Sequence, residues 1–217
     1  MSSRMRTGVL ISGRGSNLQA LIDACAAPRH PAEIVSVVSN IAGVEGLSRA
    51  ERAGIPAYVV PHCNYSSRER FDDAVDAILG ADAVSCVCLA GFMRLLSETF
   101  VEKWRGRLVN IHPSLLPAFK GLNVHQRVLQ SGARLSGCSV HFVVPELDSG
   151  PIIAQAAVPV LPGDTAELLA ARTLRAEHKL YPSVLRLLAE GRVILEGDRV
   201  IYRQVEPAIG ELFSPGL

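Results

Sequence analysis

In the first half of the chain the runs Gly8-Val9-Leu10-Ile11, Ile34-Val35-Ser36-Val37-Val38, Ala57-Tyr58-Val59-Val60 and Ala83-Val84-Ser85-Cys86-Val87-Cys88-Leu89 are apolar at nearly every position. Stretches with helical spacing near 16–27, 44–53 and 66–79 separate them. A strand wetted on one face would alternate apolar and polar residues, so a run that is apolar throughout has to be covered on both. Strand, helix, strand repetition requires crossover connections, and the sheet it builds is parallel. A fifth run, Arg107-Leu108-Val109, leads into Asn110-Ile111-His112-Pro113-Ser114, where the proline ends the strand.

The second half changes character. A helix is expected near 123–131, then two strands, Gly137 to Val144 and Pro151 to Val160, joined by the turn-like Glu146-Leu147-Asp148-Ser149-Gly150, which makes them an antiparallel pair. Thr165 to Leu188 reads as one long amphipathic helix with Asp164 or Thr165 as its N-cap and Gly191 beyond its end. A hairpin around 192–203 precedes a tail containing Pro and Gly, expected to be weakly ordered. The expected fold class is α/β: a Rossmann-like, doubly wound, mostly parallel central sheet with antiparallel strands toward the C-terminus. With 217 residues and no linker or repeat, one domain over 1–217 is expected, since domains of about 100 to 200 residues are common.

A formal net charge of +1 gives no electrostatic argument for binding nucleic acid or a membrane surface. No apolar run approaches the ~18 residues that span a bilayer. Met1 to Arg6 lacks the apolar core of a signal peptide. The five cysteines, Cys25, Cys63, Cys86, Cys88 and Cys138, fall mostly in apolar segments without metal-ligand spacing, as reduced core thiols do. A cytoplasmic protein without a bound metal is expected.

Chemistry concentrates at three places. Ser12-Gly13-Arg14-Gly15-Ser16-Asn17 follows the first strand and opens a helix, so backbone N–H groups and a helix N-terminus face whatever lies above the sheet edge. That outlines an anion site, although it has neither the third glycine of a dinucleotide fingerprint nor the Lys-Ser/Thr of a P-loop. Ser16 and Asn17 could cap the helix or add donors. Asn110 and His112 stand two apart at the end of a strand, so an amide donor and an imidazole share one face. They sit at the carboxyl edge, where open α/β sheets bind ligands. Asp148 is a loop carboxylate that can orient such an imidazole and support its cationic form.

Taken together, Ile11-Ser12-Gly13-Arg14-Gly15-Ser16-Asn17-Leu18-Gln19-Ala20, Leu89-Ala90-Gly91-Phe92-Met93-Arg94-Leu95-Leu96, Asn110 to Pro117, and Ser139 to Val143 with Glu146 to Pro151 resemble the phosphoribosylglycinamide formyltransferases. The resemblance runs in consistent order from about residue 5 to about 195. It implies transfer of a formyl group from the co-substrate 10-formyltetrahydrofolate to the amine of glycinamide ribonucleotide, a step of purine synthesis, with no metal. It further implies that Asn110 and His112 serve a tetrahedral oxyanion and that His112, oriented by Asp148, moves protons. Gly15, Ser16, Asn17 and Glu177 would hold the ribonucleotide. Arg68, Met93, Arg94, Leu95, Leu96, Asn110, Val144 and Asp148 would hold the folate. On this reading residues 6–110 form the phosphate-binding half, 111–203 carry the folate-site loop, and the protein is a monomer or homodimer working on small molecules alone. Asn123 departs from the histidine some members carry there, which puts a ribonucleotide contact at that position in doubt, whereas His125 is kept. His141 suits either a strand facing the site or a satisfied core histidine.

Sister activities make different demands. A methionyl-tRNA formyltransferase is expected to carry a further RNA-binding domain and a basic surface, and a formyltetrahydrofolate deformylase an N-terminal regulatory domain and no phosphate loop. A non-catalytic nucleotide-binding module would leave Asn110, His112 and Asp148 without a task.

Overall fold

The computed structural model describes residues 3–206 and Ser214. The chain begins with β1 (Met5–Ile11), α1 (Ser16–Cys25), β2 (Ala32–Ser39), α2 (Glu45–Arg52), β3 (Ala57–Val59), a 3-10 turn (His62–Asn64), α3 (Arg68–Ala81) and β4 (Cys86–Leu89). It continues through α4 (Glu98–Lys103), β5 (Leu108–His112), α5 (Val124–Ser131), β6 (Leu135–Phe142), β7 (Ile152–Pro159), α6 (Ala166–Ala189), β8 (Val193–Glu196) and β9 (Arg199–Tyr202). One seven-stranded sheet has the order β3-β2-β1-β4-β5-β6-β7; β8 and β9 pair separately. β1 to β5 pair in parallel, and β6 and β7 are antiparallel additions.

Continuous apolarity of the strands follows from two cores. Val9, Ile11, Val37, Cys88, Val109 and Ile111 face one side, against Leu18 and Leu21 of α1 and Tyr181 and Val184 of α6. Leu10, Val38, Val87 and Leu108 face the other, against Phe71, Val75 and Leu79 of α3 and Phe100 and Trp104. Odd and even positions are thus both buried, and a doubly wound sheet results.

Three local differences from the sequence reading have physical causes. The run 83–89 becomes strand only from Cys86, because Ala83 takes a left-handed φ of 49° to end α3, its N–H bonding Gly80 O while that of Val84 bonds Leu79 O. Apolar composition alone does not reveal such a turn. Helix α4 is an addition to the expected elements; Ser97 caps it, accepting the Phe100 N–H at 3.3 Å, and it buries Phe100 and Val101. Between the two proposed caps of α6, Thr165 is the one used, its hydroxyl accepting the Leu168 N–H. Apart from Ser214, the tail beyond 206, with its expected weak order, lies outside the described residues.

Candidate active site

β1 lies where strand order reverses, with β2 and β3 on one side and β4 and β5 on the other. Loops leaving the carboxyl ends of β1 and β4 diverge there and leave a crevice. It is a cavity of about 300 Å³ lined by residues 12–17, 90, 91 and 93.

The wall after β1 is made of backbone. Gly13 O accepts the Gly46 N–H at 3.1 Å, and Arg14 O accepts Arg49 Nε at 2.8 Å. Both carbonyls are therefore occupied by α2. Gly15 takes φ 69° as the N-cap of α1, and no side chain caps that helix. First-turn N–H groups stay available at the positive end of the helix, the arrangement that receives an anion. A Cβ on Gly15 would come 2.7 Å from the Gly46 Cα, so the loop lies against α2 at a spacing only glycine allows. Neither Ser16 nor Asn17 caps the helix. Asn17 instead donates from Nδ2 to Glu177 Oε2 at 2.7 Å across 160 residues of sequence, and both side chains are buried.

Glu177 belongs to α6, one turn before Tyr181, whose hydroxyl donates toward Leu89 O at 3.0 Å and Val109 O at 3.1 Å. Burial pushes the Glu177 carboxyl above the usual carboxylate range; the Asn17 hydrogen bond and the nearby His112 oppose that shift. The phosphate-type loop, Glu177 and His112 thus share one electrostatic environment.

Asn110 and His112 end β5, two apart on one face as their spacing requires. β6 supplies the cross-strand neighbour: His141 lies directly opposite Asn110. His141 Nδ1 is 2.8 Å from Phe142 O, so it carries the proton, and Nε2 accepts from Asn110 Nδ2 at 3.2 Å. Burial holds the His141 pKa below its ordinary value, in keeping with a neutral ring. Although Asp148 Oδ1 lies 3.9 Å from His141 Nε2, the two are not an ion pair, because that nitrogen bears no hydrogen. One Asn110 amide hydrogen is committed to His141, and the amide orientation is fixed. His141 meets both readings left open for it: it is buried with both ring nitrogens partnered, and it stands in the strand beside Asn110.

His112 Nδ1 is 3.3 Å from Asp148 Oδ2, and its Nε2 is 3.0 Å from Phe119 O. Both nitrogens face oxygen acceptors, a setting that the doubly protonated ring satisfies. Asp148 takes φ 48° in the β6–β7 loop, and its Oδ2 also accepts the Gly121 N–H at 2.8 Å. Segment 119–123 therefore clamps both partners. Phe119 and Asn123 have φ of 56° and 54° there, and Lys120 Nζ reaches Ser149 Oγ at 2.7 Å. Asn123 is the N-cap of α5, although its side chain makes no capping hydrogen bond; His125, in the first turn of α5, is held below its ordinary pKa by burial and by His112.

The residues expected on the folate side line the loop after β4 and its neighbours. Arg94 stacks over the Phe71 ring at 5.0 Å, and its Nε is buried without a partner among the described residues. Arg68 opens α3 in solvent. Both cations act on Asp72, whose carboxyl is raised by burial and lowered by its Ser97 hydrogen bond and by these arginines. Met93 and Leu95 are exposed, and Leu96 and Val144 half-buried. The Met93 N–H already donates to Ser12 Oγ at 2.7 Å, so a ligand would meet the rest of that backbone. Sequence reasoning gave Ser12 no role of its own and passed over Phe119 and Gly121, whose contributions are hydrogen bonds set by the folded loops: Ser12 to Asn40 and Met93, Phe119 to His112, and Gly121 to Asp148. Four of the five thiols are buried and Cys63 is exposed; burial pushes Cys25 up to about 11 and Cys138 up to about 12, so these two stay protonated and inert. Among the described residues no group of three or more His, Cys, Asp or Glu side chains is placed to hold a metal ion, and no helix is long and apolar enough to cross a membrane.

This fold and this group of side chains place the chain in a class: it belongs to the formyl transferase family, whose sequence profile matches residues 5–185. It is 47% identical over 189 residues to the phosphoribosylglycinamide formyltransferase of Escherichia coli strain K12, covering 87% of this chain and 89% of that one. The crystal structure of glycinamide ribonucleotide transformylase 1 from Symbiobacterium toebii superimposes with a TM-score of 0.90 at 48% identity, over 93% of this chain and 95% of that one. Within the family the chain groups with these proteins. It is also 56% identical over 203 residues to the trifunctional purine biosynthetic protein adenosine-3 of Gallus gallus, of which it spans only 20%.

Proposed function

We propose that this protein transfers the formyl group of 10-formyltetrahydrofolate to the amine of glycinamide ribonucleotide, giving the formylated ribonucleotide and tetrahydrofolate. One observation carries the reading: Glu177 is hydrogen-bonded to Asn17 of the anion loop and lies within the electrostatic reach of His112. A phosphorylated ribose seated at Gly15, Ser16, Asn17 and Glu177 would extend its amine toward Asn110 and His112.

The amine attacks the formyl carbon, and negative charge develops on the formyl oxygen. The second hydrogen of the Asn110 amide is free to stabilise that oxygen, since His141 holds only the first. Protonated His112 is the second donor, once the reacting group replaces the Phe119 carbonyl at Nε2. The attacking amine must lose a proton and N10 of the departing folate must gain one; cationic His112, supported by Asp148, gives its Nε2 proton to N10 and is reprotonated by the amine, so the ring ends as it began. The carbon–nitrogen bond to folate then breaks, and no covalent enzyme intermediate is needed. Arg68 and Arg94 suit the carboxylates of the folate tail, and Met93, Arg94, Leu95, Leu96 and Val144 its ring system.

Purified protein mixed with 10-formyltetrahydrofolate is expected to release folate, followed by absorbance, only when glycinamide ribonucleotide is added. Release without the ribonucleotide would instead indicate hydrolysis of the formyl donor, and binding of both ligands without turnover would indicate a non-catalytic module.

A further inference from the structure

The two walls of the cavity are held in different ways, and Ser12 is where the difference arises. Ser12 is 7% exposed and directly follows β1. Its hydroxyl donates to Asn40 Oδ1 at 2.6 Å and accepts the Met93 N–H at 2.7 Å, while its own N–H donates to Gly91 O at 3.1 Å. Asn40 is itself buried at the end of β2, with Nδ2 3.2 Å from His62 Nδ1. One hydroxyl therefore ties together the carboxyl ends of β2, β1 and β4, three neighbouring strands at the point where strand order reverses.

Beyond β4 the ladder gives out. The Ala90 N–H still bonds Leu10 O, but the Met93 N–H has Ser12 Oγ as its acceptor. A hydroxyl donates and accepts at once, so Ser12 can satisfy Met93 and Asn40 together. An alanine would leave the Asn40 amide oxygen unmet where it is buried and would take from the Met93 N–H the acceptor that fixes its loop. The loop 13–17 has other supports, through Gly46 on Gly13 and Arg49 on Arg14, and does not need this hydroxyl.

We infer that Ser12 is a positioning residue for the formyl donor: its hydroxyl pins the loop after β4, and its loss loosens the donor's wall of the cavity while the phosphate wall stays in place. The inference rests on the proposed function only for which substrate each wall receives.

The test uses the full-length protein with both substrates varied. In Ser12→Ala the KM for 10-formyltetrahydrofolate is expected to rise about tenfold, the scale on which a small misplacement is felt, with the KM for glycinamide ribonucleotide unchanged within about twofold. Ser12→Thr, which keeps the hydroxyl, is expected to restore the donor KM. Asn40→Ala, which removes the acceptor that orients the hydroxyl, is expected to give the same split in weaker form, and it carries the test if Ser12→Ala does not fold. An equal rise in both KM values, or a folded Ser12→Ala with an unaltered donor KM, would overturn the inference. Hydrogen exchange separates this failure from that of the proposed function, because it needs no turnover. Faster exchange of the Met93 amide in Ser12→Ala, with amides 13–17 unchanged, supports the pin even if the wild type transfers no formyl group, and unchanged exchange at Met93 overturns it.

Discussion

The loop 13–17 and the group Asn110, His112 and Asp148 lie at the same sheet edge yet are built from different materials. The first is backbone: its glycines permit close approach, its carbonyls are turned to α2, and its N–H groups are left facing the cavity. The second is made of side chains held by other side chains and by strained turns, with Asp148 at φ 48° and Phe119 at φ 56°. A backbone cradle suits a ligand group whose charge does not change during reaction, such as a phosphate. Groups that exchange protons need side chains whose partners can change. Mutations should therefore act on chemistry in the second region and on binding in the first.

The largest expected effect breaks the second region without touching the first. Asp148→Asn keeps an oxygen for the Gly121 N–H but removes the charge beside His112. Turnover is expected to fall by about 10²-fold or more through loss of acid–base support, with ribonucleotide affinity within a few-fold of wild type. Near-wild-type rates over pH 6 to 9 would remove Asp148 from the mechanism.

Gly15→Ala reverses the contrast. A methyl at φ 69°, 2.7 Å from the Gly46 Cα, must move the loop. The KM for the ribonucleotide is expected to rise about tenfold or more through displaced N–H groups, with kcat at saturation changed much less. An equal loss in kcat would show that the two regions are not separable.

Glu177→Gln is the smallest change and sharpens the boundary between them. The buried Glu177 carboxyl has a raised pKa in the folded state, so the native protein binds a proton that the unfolded chain has already released. Its contribution to stability therefore falls as pH rises from the ordinary carboxylate value of about 4.3 toward the raised folded value, and stays lost above it. The amide of the variant has no such titration. Denaturant melts across that window are expected to show a shallower decline for the variant, while the ribonucleotide KM rises a few-fold; a decline identical to wild type would show that Glu177 is not the group responsible.

Much of this was legible in the residues. Two-sided burial of Val9-Leu10-Ile11 and Val37-Val38 dictates a parallel sheet with helices on both faces. The i, i+2 spacing of Asn110 and His112 puts them on one face once a strand is recognised. What escaped was set by long-range contact. Asn17 reads as a helix cap, and only the packing of α6 against α1 brings it to Glu177. Helix α4 is just six residues, too short for apolar periodicity to show. The role of His141 depends on the β5–β6 register, which no local pattern encodes.

Tyr181 makes α6 a ruler for the distance between two sites. Its hydroxyl is fastened to Leu89 at the end of β4 and to Val109 near the start of β5, one helical turn from Glu177. Because a helix advances about 100° per residue, a single insertion between the two would swing Glu177 off Asn17 while the tyrosine stayed moored. A substitution on the outward face of this helix leaves that spacing intact, but the count from 177 to 181 has no slack.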